Sequence, residues 1–244
     1  MRKSLTIFLI LIVFLTIGAV LLLGYFGIIP MPGDFFNVTK PKDLGVTSSQ
    51  EEFDNFVEKT ESQVLNYDEA PEELKTTNVG VLFSQPKEYD MSFSNSEISS
   101  RINYAKWSAM PVENVQVKFS DDGMIEASGN LVTANLLNFA NIAGYGGYSE
   151  ENVKKGLDWI EKLGPSPAFY VKAKAEVKNN ELTLDTESIE INRFPLPSDQ
   201  ANSAIVLATE TILKSISGLD AQSTTISNNS FNFKGNAPSV IYSK

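Results

Sequence analysis

Residues 169–197, FYVKAKAEVKNNELTLDTESIEINRFPLP, decide the fold. Phe169, Val171, Ala173, Ala175 and Val177 alternate with Tyr170, Lys172, Lys174, Glu176 and Lys178, the period-2 pattern of a strand with one face buried. Asn179-Asn180 supplies a tight turn, and Leu182 and Leu184 begin the return strand of a hairpin. The apolar parity then switches from even (Leu182, Leu184) to odd (Ile189, Ile191). One extra residue restores the faces, so a β-bulge is predicted near Glu187 and Ser188, and a bulge bends its sheet. Directly after this hairpin the pattern predicts a helix from Ser198 to just before Gly218. Its apolar residues (Ala201, Ile205, Val206, Ala208, Ile212, Leu213, Ile216) cover an arc of roughly 160° at about 100° per residue, wider than a one-sided stripe. A sheet curling around such a helix would bury it. A closing hairpin, Ala221–Ser227 against Ser230–Gly235, turns at Asn228-Asn229 and places Phe231 and Phe233 on one face. The predicted class is α+β, a curved antiparallel sheet wrapped around a long helix.

Working toward the N-terminus, Ser149 caps a helix carrying Val153, Leu157, Ile160 and Leu163, which stops at Gly164-Pro165. With the helical spacing of Leu136, Leu137, Ala140 and Ala143, it forms an insert between hairpins. VENVQVKFSDDGMIEASGNL (112–131) reads as an earlier hairpin turning at Asp121-Asp122-Gly123. Ser94-Asn95-Ser96-Glu97 is a capping box opening a helix with Ile98, Ile102 and Ala105 stacked, ending near Trp107 and Pro111. Val79–Phe83 and Glu88–Phe93 read as two short strands. Ser49-Gln50-Glu51-Glu52 opens a first helix over about 49–66. Residues 30–48, with three Pro and two Gly, read as a spacer, so the domain is expected over 49–244.

The beginning of the chain sets its location. Leu5–Ile29, LTIFLILIVFLTIGAVLLLGYFGII, is 25 residues without a charge. At about 1.5 Å per residue it reaches roughly 37 Å, beyond the about 30 Å of a bilayer's hydrocarbon core. A signal-peptide core runs to only about 7–15 residues, so a retained transmembrane anchor is predicted over 5–29. Arg2 and Lys3 place residues 1–4 in the cytoplasm and the domain outside the cell membrane.

Composition excludes most catalytic chemistry. The 244 residues contain no His and no Cys, which removes Ser-His-Asp and Cys-His nucleophiles, the usual zinc ligands, haem or iron–sulfur ligation, disulfides and lipoprotein acylation. No metal or cofactor is expected. The net charge of −10, or −12 without Arg2 and Lys3, repels nucleic acid. Ser-Lys dyads and paired carboxylates remain as enzymatic openings; no Ser-x-x-Lys stands near an expected pocket with a base or oxyanion site, whereas Asp185 and Glu187 share a strand face at about 6–7 Å, with Glu190 nearby. They interleave with core residues and so read as a solvated face. Gly144-Tyr145-Gly146-Gly147 follows no strand and lacks a Lys-Ser/Thr, which argues against a phosphate cradle.

Apolar binding is the sharper expectation. A curved sheet closing over the last helix leaves a slot lined by Ile205, Ile212, Leu213, Phe231 and Phe233, a shape that accommodates an acyl chain. The bland alternative is that these side chains pack one another. The order of pieces over residues 90–238, with VENVQVKFSDDGMIEASGNL, VKAKAEVKNNELTLDTESIEINRFPLP and ISNNSFNFKGNAP, resembles small exported bacterial proteins of the YpmS-like kind. More distantly it resembles envelope proteins with the tubular lipid-binding fold, in which a curved sheet wraps a long helix. The resemblance implies lipid or apolar-ligand handling at the envelope without enzyme activity; the helical insert at 134–164 departs from it. The competing expectation is a module that docks another envelope protein and holds no ligand.

Overall fold

The computed structural model describes residues 38–75, 81–142 except 106 and 109, 145, 149–197 and 216–243, together with Thr16, Ala19 and seven residues of the segment 202–214. The fold is α+β, built on a curved mixed sheet. Its strands are β1 (Gln63–Asn66), β2 (Val81–Phe93), β3 (Val112–Phe119), β4 (Met124–Leu131), β5 (Ala168–Lys178), β6 (Glu181–Ile191), β7 (Phe194–Pro195), β8 (Asp220–Ser227) and β9 (Ser230–Ser243). The order runs β1-β9-β8-β5-β4-β3; β2 pairs with β9, and β6 pairs with β5 and β7. Among the described strand pairs only β1 against β9 is parallel, which makes the sheet mixed where the sequence reading expects it antiparallel throughout. The α-helices described over their whole length are α1 (Gln50–Thr60), α2 (Asn95–Asn103), α3 (Thr133–Ile142) and α4 (Glu150–Glu161).

Three bulges bend the sheet. On β6 the partners step from Lys172↔Ser188 to Ala173↔Thr186, so Glu187 is the extra residue, as the parity switch predicts. On β3, Glu113↔Asn130 gives way to Gln116↔Ser128. On β8, Ala221↔Gly235 gives way to Ser223↔Lys234, leaving Gln222 unpaired. Gly235 has φ +146, and a Cβ there would lie 2.0 Å from the Asp220 carbonyl oxygen, so only glycine fits this bulge. The hairpin turns at Asn179-Asn180 and Asn228-Asn229 take positive φ at both residues, as a tight turn of the right hand requires.

The curvature is large. Strand order puts β3 four steps from β9, roughly 19 Å away in a flat sheet at about 4.8 Å per step. Phe119 of β3 nevertheless stacks on Phe231 of β9 at 5.8 Å between centroids, and the Asn229 N–H donates to Asp121 Oδ1 at 2.9 Å. The sheet has curled until its β3 edge meets β9. Inside this fold-over Ile98 and Ile102 of α2 pack with Val115, Val117, Phe119, Phe169, Ile226 and Phe231. At the far end of β9, Tyr67, Ala70, Leu82, Val240 and Tyr242 form a second core.

Several elements differ from the sequence reading. The first helix ends at Thr60, where Glu61 takes a left-handed φ of 51, and β1 occupies residues read as its tail. The two short strands are one, β2, because Gln85 absorbs the break with φ 52 and Pro86 lies opposite Pro238. Residues 38–48 of the expected spacer have no regular structure yet are docked on the sheet. Val38 and Leu44 are buried, Gln116 Oε1 accepts from the Leu44 N–H at 2.8 Å, and Asn130 Nδ2 donates to the Thr39 carbonyl at 2.8 Å. The packed unit therefore takes in residues from Val38 onward rather than from 49.

Two expectations fall largely outside the described residues. Of the span 5–29 only Thr16 and Ala19 are described, both helical. Among the described residues no helix is long and apolar enough to cross a membrane. Of the predicted last helix, Asn202, Ile205, Val206, Thr209, Glu210, Leu213 and Lys214 are described; all are helical, and all but Lys214 are half-buried. Gly218, φ +81, ends the segment close against Pro86 of β2.

Candidate functional site

The site is built from α1 and α2 laid over β2 and β9. Ser49 caps α1, its hydroxyl accepting the Glu52 N–H, and the helix turns Phe53 and Phe56 inward. Four contacts fix α1, three to β2 and one to α2. Lys59 pairs with Glu97 and donates to the Ser92 carbonyl, the Tyr89 hydroxyl donates to the Thr60 carbonyl at 2.9 Å, and Lys87 pairs with Glu61 at 2.7 Å. Burial raises the Tyr89 phenol's pKa above its ordinary value and keeps it a donor. α2 opens with the predicted capping box: Glu97 N–H donates to Ser94 Oγ and Ser94 N–H to Glu97 Oε2.

Between the two layers lies an apolar cavity of about 210 Å³. β9 contributes Phe231, Phe233, Ala237, Pro238 and Ile241, β2 contributes Tyr89 and Phe93, and the helices contribute Phe56, Ile98 and Arg101. Phe56 stacks on Phe93 at 4.9 Å and Phe93 on Phe231 at 6.5 Å, so one wall is a continuous aromatic row. Arg101 is the cation in this lining. Its guanidinium stands 5.6 Å from the Phe56 ring centre and 5.8 Å from that of Phe53, and burial pulls its pKa below the ordinary value. Glu97, one turn away on the same helix, is already occupied by Lys59 and by its own cap.

Of the residues expected to line an apolar slot, the structure brings Phe231 and Phe233 together here. Ile205 and Leu213 are half-buried on helical backbone and are not among this cavity's lining residues. Ile212 lies outside the described residues. Sequence reasoning placed Phe56, Phe93 and Ile98 only as helix and strand core, and it passed over Arg101. The available signal was Arg101 three residues after Ile98, a cation on the apolar face of a short helix.

A second cleft, of about 650 Å³ and mixed lining, lies beside the docked segment; Val38, Phe169 and Pro195 face it together with Lys40, Lys42, Tyr170, Glu190 and Arg193. Tyr170 donates to Glu126 Oε2 at 2.6 Å, and Lys42 sits 3.7 Å above its ring centre. Burial and then the Glu126 carboxylate hold the Tyr170 phenol well above its usual pKa, so it stays protonated and is no base. Of the candidate carboxylates, Glu187 is bound to Lys172 at 2.8 Å and Asp185 lies across from Lys174. Glu190 accepts from the Ser188 hydroxyl at 3.3 Å. Of these groups, Glu126 and Tyr170 reach the docked segment, through Lys42, which stands 3.8 Å from Glu126 Oε2. No family model, curated protein or solved structure matches this chain.

Proposed function

We propose that the chain is held in the cell membrane by residues 5–29, with its N-terminus in the cytoplasm and the domain from Val38 outside, and that this domain binds a lipid or other apolar ligand without catalysis. The observation that carries the reading is the cavity beneath α1 and α2, where Phe56, Phe93, Ile98, Phe231, Phe233 and Ile241 converge on one apolar space. Its volume lies below the about 300–1,000 Å³ of ordinary ligand pockets, which suits a segment of one alkyl chain and not a two-chain lipid. A sheet curled far enough to join Phe119 to Phe231 is also the kind of shape that the tubular lipid-binding resemblance implies.

A docking module is the second reading. Leu137 of α3 and Trp159 of α4 favour it, two large apolar side chains exposed on the helical insert.

One experiment separates these readings, and a second tests the topology they share. The full chain, purified in detergent and extracted with solvent, yields a single-chain lipid by mass spectrometry under the ligand reading, and an Ala237→Trp variant prepared identically does not. Equal lipid content in the two preparations points to docking. Because the chain has no Cys, single Ser4→Cys and Asp121→Cys variants report topology through a membrane-impermeant maleimide: labelling of intact cells at 121 and not at 4 is the expected result.

A further inference from the structure

We infer that Arg101 makes the cavity beneath α1 and α2 selective for an anionic single-chain amphiphile, a carboxylate head on one alkyl tail. The inference rests on the apolar-ligand reading and adds the head-group chemistry to it. Arg101 lines the cavity, and no carboxylate among the described residues forms an ion pair with it. Lys59 and Lys87, the other cations on this face, are each held by a glutamate. A cation left among Phe53, Phe56 and Ile98 carries a desolvation cost that its ring contacts offset only in part. An anion entering with its tail among Phe93, Phe231 and Phe233 would complete both halves of the site. The guanidinium offers a planar fork of donors that a carboxylate accepts in two parallel hydrogen bonds. The small volume of this open-sided cavity matches a short length of one alkyl chain.

The test uses the full chain in detergent and two probes of equal length, a diazirine-bearing decanoic acid and the matching decanol. In the wild type the acid labels the protein at about tenfold lower concentration than the alcohol, and in Arg101→Gln the two probes label at equal concentrations. Arg101→Lys, which keeps the charge and loses the fork, retains part of the preference. Acetate does not compete, since it carries the head without the tail. Equal labelling of the wild type by acid and alcohol would overturn the inference and leave the apolar reading standing, a comparison that needs no variant to fold. Competition by acetate as strong as that by decanoate would show a free-anion site and also overturn it. Labelling by neither probe would remove the apolar reading together with the inference.

Discussion

The Asn103 side chain pairs with the backbone of Val115 on both sides of its amide: the Val115 N–H donates to Oδ1 at 2.8 Å, and Nδ2 donates to the Val115 carbonyl at 2.7 Å. One turn earlier, Ser99 Oγ accepts from the Val117 N–H at 2.8 Å, and one turn before that Asn95 Oδ1 accepts from the Phe119 N–H at 2.9 Å. The spacing of four residues along α2 matches the spacing of two along β3, because about 6 Å of helix equals about 6.6 Å of strand. α2 thereby satisfies the free edge of the sheet as another strand would, and an edge so covered cannot recruit a second chain. It also fixes where Ile98 and Arg101 stand relative to β9, and so sets the roof of the cavity.

Asn103→Ala leaves both polar groups of Val115 without a partner in a place where Val115 is buried. Loss of about 2–3 kcal/mol is expected from two unmade hydrogen bonds. Urea denaturation followed by tryptophan fluorescence measures it; a loss below about 0.5 kcal/mol would show that water replaces the amide.

Gly235→Ala forces a Cβ into the Asp220 carbonyl at a φ of +146 and should cost about 3 kcal/mol. Gly156→Ala is the internal contrast. Gly156 lies within α4 with open space where its Cβ would be, so the substitution stabilises by about 0.5–1 kcal/mol. Paired melting curves of the two variants check both signs.

Stability should fall in alkali through Tyr170. Its phenol pKa is raised in the folded protein above the ordinary value of 10.0, by burial first and the Glu126 carboxylate second. A raised folded pKa stabilises the fold at every pH below the unfolded value, and that stabilisation is lost as pH climbs above about 10. Urea midpoints taken from pH 7 to 11 should be level and then decline, with a shallower decline in Tyr170→Phe. Parallel curves would mean that Tyr170 titrates alike in the folded and unfolded chain.

Filling the cavity should block ligand and spare the fold. Ala237 sits on the cavity floor, so Ala237→Trp occupies the space that a ligand chain would take. Uptake of a fluorescent fatty acid by the full chain should drop at least about tenfold, with the unfolding free energy from urea curves falling by no more than the about 1–3 kcal/mol of overpacking. Unchanged uptake would place the ligand elsewhere.

Local rules carried the strands and turns of this protein, and long-range partners decided what those rules missed. The parity switch from Leu184 to Ile189 located the Glu187 bulge because strand alternation admits no other repair. The paired asparagines at 179–180 and 228–229 marked their turns by their tolerance of positive φ. The docking of residues 38–48 was not legible, since its anchors, Gln116 and Asn130, lie 72 and 91 residues away from the groups they hold. β2 was split by the Ser84-Gln85-Pro86 spelling, and only its pairing along β9 joins it. For the candidate site, Phe231 and Phe233 followed from strand alternation, whereas their partners Phe56 and Arg101 come from helices that read as ordinary amphipathic surface.

The ligand is proposed to lie between α1–α2 and β2–β9. The direct measurement is peptide mapping of the full chain after photolysis with a diazirine-bearing fatty acid, its reactive carbon at the tail end. Adducts on Phe93, Phe231, Phe233 or Ile241 are the predicted result; adducts confined to residues 198–217, or spread evenly over the surface, would contradict it.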